Sequence, residues 1–399
     1  MARPPLGYGT NLHAAESVDE ICAALAGPAT RIRARLGWDR LGVDLRLGSL
    51  ALAEGQAGID RLRRTLDQHR LSAHTLNGFP LRPFQAAVVK RDAYLPDWSE
   101  RERLDRSLDL LHAALALSDE PEVTISTVPG TYRPFGPPRT DAEAIASNLG
   151  RWAAAAARVR RDTGRSAVLC LEPEPWCVLE TSTEVAAFWC GPLATQGLAA
   201  ATAALDGDAD TARVALARHL GICFDTCHFS LAFEDQAEAV TRITAAGARI
   251  AKCQVSAAPV VVDPGRNPAG VAALAALAEP RFLHQTAACR RLAAGQNPAA
   301  GWASPKRVED LDQLATLLAR MPDATEVRSH FHVPLDFIAS ERGLTTTIAD
   351  TRAGLAACIA AGCPHIAVET YTWSVLPQAG DPVDGTVREL RWLAAALAD

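Results

Sequence analysis

Short apolar runs alternate with longer helical patterns from one end of this chain to the other, and this alternation strongly limits the folds it can adopt. Eight runs occur, at residues 6–12, 40–47, 71–79, 122–130, 167–175, 220–228, 248–256 and 365–373. Strands that are repeatedly followed by helices imply a parallel sheet, and eight such units make a (β/α)8 barrel. The sequence therefore predicts an α/β fold of the TIM-barrel type.

The main alternative to a barrel is a doubly wound open sheet. That fold is typically marked by a GxGxxG motif after its first strand, and this chain has none there. Barrels of this kind often exceed about 250 residues as one unit, so we predict a single domain over 1–399. Residues 257–345 lie between the seventh and eighth strands and are predicted to be an insertion that packs over the barrel mouth.

The first predicted helix illustrates how element ends are predicted from sequence. Ser17 is followed three residues later by Glu20, the pattern of a capping box. Gly27 comes after the last apolar position and is expected to end the helix.

Charge and composition exclude several classes of function. The net charge is −6 and no basic block is present, so nucleic acid is not an expected partner. No long apolar run lacks charges, and the N-terminal residues do not resemble a signal peptide, so we expect a cytoplasmic protein without a transmembrane segment. The ten cysteines are scattered and none forms a CxxC pair, which favours reduced, mainly structural thiols.

Polar side chains stand at the ends of the apolar runs, where active sites of TIM barrels are built. In chain order these are Asn11 and His13, Asp44 and Arg46, His74 and Asn77, Ser126 and Thr127, Glu172 and Glu174, Asp225 and His228, Gln254 and Ser256, and Glu369 with Thr370 and Tyr371.

Three acids in this set require a counter-charge. Glu172, Asp225 and Glu369 come from separate strands and are expected to converge on the barrel axis. Buried carboxylates repel one another and lose water, which would leave them neutral in the absence of a cation. Carboxylate, amide and imidazole ligands suit a divalent metal ion such as Mn²⁺, Mg²⁺, Co²⁺ or Zn²⁺.

These strand ends resemble the xylose isomerase-like TIM barrels, which include sugar isomerases and epimerases and, more distantly, the endonuclease IV group. The resemblance spans nearly the whole chain. Several motifs are also similar to a narrower branch, the metabolite traffic protein EboE of bacterial ebo clusters. They are LEPEP, FDTCH, CQVS and VETYTW, together with TNLHAAES, FLHQT and FHVPL.

The resemblance implies a metal site at Glu172, Asp225 and Glu369. Many members of the superfamily carry His at the seventh strand, where this chain has Gln254, a neutral and weaker ligand. This departure leaves the fourth ligand open between Gln254 and a histidine. The candidates are His228, His284 and His332, the last of which alternates with His330 so that both face one side of an extended segment.

The same resemblance implies catalytic roles for Glu172, Glu369 and His228. Residues expected to contact substrate are His13, His74, Asn77, Trp176, Tyr371 and Trp373. The implied reaction is a metal-dependent isomerisation or epimerisation of a small sugar, polyol or cyclitol, by proton transfer through an enediolate or by a hydride shift. A metabolite-binding protein without turnover and a metal-dependent hydrolase of the endonuclease IV type are the alternatives. No sequence feature predicts the oligomeric state.

Overall fold

Eight parallel strands close into a barrel in the computed structural model, which describes residues 6–292, 301–337, 343–376 and 380–398. The strands are β1 Leu6–Gly9, β2 Leu41–Arg46, β3 Leu71–Asn77, β4 Glu122–Thr127, β5 Ser166–Leu171, β6 Leu220–Asp225, β7 Ile250–Val255, β8 Pro259–Val262, β9 Thr286–Cys289, β10 Lys306–Val308, β11 Glu326–Ser329, β12 Leu344–Thr346 and β13 His365–Val368. The barrel consists of β1 to β7 in chain order and is closed by β13, which pairs with both β7 and β1. The predicted (β/α)8 barrel is confirmed.

Helices surround the barrel. They are α1 Val18–Ala24, α2 Thr30–Leu36, α3 Ser49–Ala53, α4 Gly55–Gln68, α5 Arg101–Leu117, α6 Ala142–Thr163, α7 Ser182–Phe188, α8 Leu198–Ala204, α9 Ala209–His219, α10 Thr226–Leu231, α11 Gln236–Ala245, α12 Pro268–Ala275, α13 Leu314–Arg320, α14 Ile348–Ala360 and α15 Pro382–Ala396. Two π-helical segments, Leu25–Ala29 and Trp189–Gly197, join α1 to α2 and α7 to α8. Among the helices in the described ranges, none combines the length and the apolar character needed to cross a bilayer.

The first helix begins as predicted and ends later than predicted. Ser17 and Glu20 form the reciprocal bonds of a capping box. Gly27 does not stop the helix, because the chain continues through the π-helical turn that contains Pro28 and into α2. A proline has no N–H to donate, and a wider turn accommodates it without breaking the helix. The helix ends only at Gly37, whose φ of 71° is readily reached by glycine.

The predicted insertion forms a small sheet of its own. Strands β8 to β12 make a five-stranded sheet in the order β10-β9-β11-β8-β12, and all of its pairs are antiparallel. Its apolar side chains, among them Val261, Leu317 and Phe331, form a cluster separate from the main core. The segment that leaves β11 carries His330 and His332 into the mouth of the barrel.

Ion pairs join the insertion to the loop that follows β3. Lys90 Nζ lies 2.5 Å from Asp310 Oδ2, and Arg91 Nε lies 2.6 Å from Glu309 Oε1. The backbone N–H of Val89 also donates to the carbonyl of Arg281, at 2.8 Å. These contacts join the loop to the insertion.

The ten cysteines are all free thiols. Eight of them are buried; Cys22 is half-buried and Cys190 is exposed. This agrees with the prediction of reduced, mainly structural cysteines.

Candidate metal centre at the barrel mouth

Three carboxylates meet at the carboxyl end of the barrel. Glu172 follows β5, Asp225 ends β6 and Glu369 follows β13. Each contributes an oxygen to a set whose members all lie within 4.8 Å of one another, and all three side chains are buried. The structure thus brings together the three acids that the sequence predicts to converge, because parallel strands present their carboxyl ends at one edge of the barrel.

Burial and mutual repulsion make these acids weak. Burial is the main cause that raises the pKa of Asp225 to about 6 and the pKa of Glu369 to about 8. For Glu172, burial and then the charges of Glu369 and Asp225 raise the pKa well above its usual value. One oxygen of Glu172, Oε2, is buried without a hydrogen-bond partner among the described residues. Buried, repelling oxygen ligands with a free lone pair fit a divalent cation.

Gln254 lies between the acids and turns its amide nitrogen towards them. Nε2 donates to Glu172 Oε1 at 2.9 Å and to Glu369 Oε2, while its oxygen accepts from Cys223 Sγ at 3.0 Å. In this arrangement Gln254 is a hydrogen-bond donor that bridges two carboxylates. It does not present the amide oxygen that the sequence suggested as a metal ligand.

Two asparagines orient Glu369. Asn11 Nδ2 donates to Glu369 Oε1 at 2.8 Å, and Asn77 Nδ2 donates to the same oxygen at 3.2 Å. Asn77 was predicted as a substrate contact and does line the cavity. Asn11 was not in the predicted set, although it ends the first apolar run in the same way as the other site residues end theirs.

A second cluster, the histidine cluster, lies beside the acids and comprises His228, His330, His332 and Glu174. His330 Nε2 is 3.1 Å from His228 Nε2 and 3.1 Å from His332 Nε2. Glu174 Oε2 is also 3.1 Å from His228 Nε2. All four side chains are buried. Sequence reasoning placed His228 and His332 at the site but left Glu174 and His330 outside the predicted set.

Three other predicted residues lie away from both clusters. His284 Nδ1 donates to the carbonyl oxygen of His330, and Nε2 lies in hydrogen-bond contact with Glu279 Oε1, each at 2.8 Å, so neither nitrogen faces the cavity. His13 is bonded to the hydroxyl of Tyr8 at 3.0 Å. His74 lies inside the barrel against His365, with ring centroids 5.6 Å apart, and does not line the cavity.

The position of His74 has a steric cause. Gly7 and Gly42 flank its ring, and a Cβ at either position would come within 2.8 Å of it. The absent side chains of these glycines make room for an imidazole in the barrel interior. The sequence places His74 on the third strand correctly but does not reveal its depth.

The two tryptophans that were predicted to contact substrate do not line the cavity that holds the acids. Trp176 lines a separate small cavity with Glu180 and Arg307. Trp373 donates its indole N–H to Glu389 Oε2 at 3.1 Å. Glu389, a buried residue of α15, also accepts from Thr370 Oγ1 at 2.6 Å and from the backbone N–H of Leu335 at 3.2 Å. It ties the loop after Glu369 to the end of the insertion, a role that no sequence pattern indicated.

A buried ion pair lies inside the barrel. Lys252 Nζ is 2.7 Å from Asp44 Oδ2, and both side chains are fully buried. Lys252 also donates to Ser126 Oγ at 3.0 Å. Its positive charge acts to lower the pKa of both Glu172 and Glu369, against the larger effect of burial.

The two clusters share one cavity of about 50 Å³. It is lined by Asn11, Asn77, Phe79, Pro80, Phe84, Ala93, Glu172, Glu174, His228, His330, His332, Glu369 and Tyr371. The lining is thus partly acidic and histidine-rich and partly apolar. The rings of Phe84 and Tyr371 make an edge contact, with their centroids 5.1 Å apart. No Arg or Lys of the described residues lines it.

Comparisons with known proteins yield structural neighbours only. No protein-family model matches the chain, and no curated protein shows significant sequence similarity to it. Solved structures with a similar fold include a xylose isomerase domain protein from Planctomyces limnophilus, at 11% identity over 99% of this chain and 97% of that one, with a TM-score of 0.46. The IOLI protein with a bound zinc atom is 11% identical over 98% and 97% of the two chains, with a TM-score of 0.44. The "probable 3-DHS dehydratase AsbF" from Bacillus anthracis is 10% identical over 98% of both chains, with a TM-score of 0.40.

Proposed function

We propose that this protein is a divalent-metal-dependent isomerase or epimerase of a small, uncharged sugar, polyol or cyclitol. The observation that carries this proposal is the convergence of Glu172, Asp225 and Glu369, from three strands, on one buried point. These three residues would hold the ion. A divalent ion there would supply Lewis-acid polarisation of a substrate carbonyl and stabilise the negative charge that develops on its oxygen.

The protein's own residues supply the proton transfer. Glu172 and Glu369 are bridged by the amide nitrogen of Gln254, which donates to both. Without a metal ion, burial raises the pKa of each, to about 8 for Glu369, and a positioned carboxylate is a competent general base. Asn11 and Asn77 fix the Glu369 carboxylate through its other oxygen. Two oriented carboxylates can thus remove a proton next to a carbonyl and return it.

The walls of the cavity favour an uncharged substrate with one apolar face. No basic side chain among the described residues lines the cavity, so a phosphate or carboxylate group would meet no cationic side chain there, and metal-assisted hydrolysis of nucleic acid has little support. Phe79, Phe84 and Tyr371 add apolar surface to the lining of the cavity. A volume of about 50 Å³ holds about four water molecules.

Solvent isotope exchange tests the proposal. A panel of ketoses and cyclitols is incubated in D₂O with metal-loaded protein, and deuterium incorporation is measured by mass spectrometry. Glu172→Gln and Glu369→Gln should each reduce exchange by about 100-fold or more, because a positioned base typically contributes that much. Glu102→Gln, at an exposed position of α5, serves as the matched control. Exchange that persists in both site variants would contradict the proton-transfer mechanism, and turnover without any exchange would indicate a hydride shift.

One observation favours a second candidate, a metabolite-binding protein of the EboE type without turnover. Gln254 faces the acids as a donor, and this leaves the carboxylate centre without a fourth ligand from β7. Full metal loading and tight binding of a polyol, with no turnover and no exchange, would favour binding over catalysis.

A further inference from the structure

We propose that Glu389 is a positioning residue: from α15 it anchors the two chain segments that bring Glu369 and His332 to the cavity, and it thereby sets the geometry of the carboxylate centre. The first, the strand-end segment, is residues 369–373 after β13. The second, the insertion segment, is residues 330–335 after β11. The anchoring of the segments is independent of the proposed function, whereas the effect on a bound metal ion rests on it.

Glu389 is a fully buried acid on a largely apolar helix face. The same buried face of α15 carries Val383, Val387, Leu390 and Leu393. Burial is the main cause that raises the pKa of Glu389 to about 7, and the negative charge of Asp336 adds to it. A carboxylate in such a place lowers stability unless hydrogen-bond donors satisfy its oxygens. The presence of this acid is therefore explained by the groups that it binds.

Both oxygens of Glu389 accept hydrogen bonds from the two segments. Oε1 accepts from Thr370 Oγ1 at 2.6 Å and from the backbone N–H of Leu335 at 3.2 Å. Oε2 accepts from the indole N–H of Trp373 at 3.1 Å. Thr370 and Trp373 belong to the strand-end segment and Leu335 belongs to the insertion segment, so a single carboxylate ties both segments to α15.

The strand-end segment alternates between the cavity and α15. Glu369 and Tyr371 line the cavity, whereas Thr370, which lies between them, is bonded to Glu389. Trp373, two residues beyond Tyr371, is bonded to the same carboxylate. Glu389 thus holds the chain on both sides of Tyr371 and directly after Glu369. A shift of this backbone would move the Glu369 carboxylate.

The two segments are also bonded to each other. His332 Nδ1 donates to the carbonyl oxygen of Glu369 at 2.8 Å, and Thr372 Oγ1 donates to the carbonyl oxygen of His332. Leu335, whose N–H is held by Glu389, comes three residues after His332. The anchor therefore acts on one connected unit that contains residues from two walls of the mouth.

The same helix makes room for the indole ring. Gly385 lies four residues before Glu389 on α15, and a Cβ at this position would overlap the ring of Trp373. The absent side chain lets the ring approach the helix, with its N–H within reach of Glu389. Two positions one helical turn apart thus serve the same contact.

Two substitutions and two controls separate positioning from general stability. Glu389→Gln keeps an acceptor for Oε1's two donors but turns an amide N–H₂ towards the indole N–H, and Glu389→Leu removes all three acceptors. Arg388→Gln breaks the partly exposed ion pair with Asp336, which joins the same helix to the residue after the insertion segment. Exposed pairs contribute little to stability. Leu393→Ala, one turn further along α15, lowers stability by leaving a cavity in the core without touching the anchor.

Hydrogen–deuterium exchange and Mn²⁺ titration of the full-length protein measure the effect. Peptides that cover 330–335 and 369–373 should exchange faster in Glu389→Leu than in wild type and should be unchanged in Arg388→Gln. The affinity for Mn²⁺ should fall by about 10–100-fold in Glu389→Leu, as is usual when the groups that orient a metal ligand are disturbed. The loss should be smaller in Glu389→Gln and absent in both controls. Any solvent isotope exchange, measured at saturating Mn²⁺, should slow in the same order.

The remaining outcomes count against the proposal. Unchanged hydrogen exchange of both segments in the two Glu389 variants would overturn the anchoring, whatever the activity of the protein. Faster hydrogen exchange with unchanged Mn²⁺ affinity, or an equal loss of affinity in Leu393→Ala, would reduce Glu389 to a structural role. Circular dichroism establishes that each variant is folded, and Glu389→Gln decides the question if Glu389→Leu is not. A wild type that binds no Mn²⁺ would contradict the proposed function, and hydrogen exchange alone would then support or overturn the anchoring.

Discussion

The substitution Glu369→Gln removes the charge of this carboxylate but keeps the shape of the side chain. It therefore measures how much the burial of that charge lowers the free energy of unfolding. Burial, with the charge of Asp225 adding to it, raises the pKa of Glu369 from 4.5 to about 8. The folded, metal-free protein therefore holds this proton more tightly than the unfolded chain does. The contribution of protonated Glu369 to the free energy of unfolding is complete below pH 4.5 and is lost as the pH rises through 8.

The size of the effect follows from the pKa shift. One pKa unit corresponds to about 1.36 kcal/mol, so raising the pH from 5 to 8 should lower the unfolding free energy of the metal-free wild type by about 3–4 kcal/mol through Glu369. A glutamine does not titrate and lacks this loss. Its amide nitrogen would face the amide nitrogen of Gln254, but that cost is the same at both pH values.

Equilibrium urea denaturation in the presence of a chelator measures the difference. The stability of Glu369→Gln relative to wild type should rise by about 3–4 kcal/mol between pH 5 and pH 8, whereas Glu102→Gln should show no such trend. Added divalent ion at pH 8 should then stabilise the wild type by mass action and leave Glu369→Gln much less affected. A gap between wild type and Glu369→Gln that is the same at both pH values would refute the assignment of Glu369 as a buried, repelled acid.

Two further predictions concern the barrel beneath and beside the site. Lys252→Met leaves Asp44 buried without its counter-ion at 2.7 Å and should lower the free energy of unfolding, measured by chemical denaturation, by about 3–5 kcal/mol. The double variant with Asp44→Asn should recover most of this stability. No recovery would mean that the two charges are not coupled. Gly385→Ala places a methyl group 2.2 Å from the ring of Trp373 and should lower the free energy of unfolding, measured by heat or urea, by about 1–3 kcal/mol. The control is Gly27→Ala, whose methyl group would meet nothing within 4 Å and should not destabilise the protein.

The order of elements and the three acids followed from local pattern alone. Apolar runs of strand length alternate with amphipathic helices, and a helix must follow each strand if neighbouring strands are to be parallel. Once that order is known, Glu172, Asp225 and Glu369 must lie at the same edge, because each comes at the carboxyl end of its strand. Nothing about their long-range contacts is needed for that conclusion.

Local pattern was insufficient for the depth and direction of side chains. His74 and Asn77 belong to the same strand, yet His74 lies inside the barrel and Asn77 reaches the cavity. The difference depends on Gly7 and Gly42, which come from other strands and leave space for the imidazole. The amide orientation of Gln254 likewise depends on Cys223 across the sheet.

Of all the features of the site, the arrangement of the histidine cluster depends most on tertiary structure. His330 comes from the insertion and meets His228, which is 102 positions away along the chain. The direction of its Nε2 atom depends on Gln285, which is itself oriented by Pro175 and Tyr94. Sequence patterns report the neighbours within one element, and so they determine strands, helices and strand ends. Which nitrogen atoms face one another depends on hydrogen bonds between distant segments, and those exist only once the chain has folded.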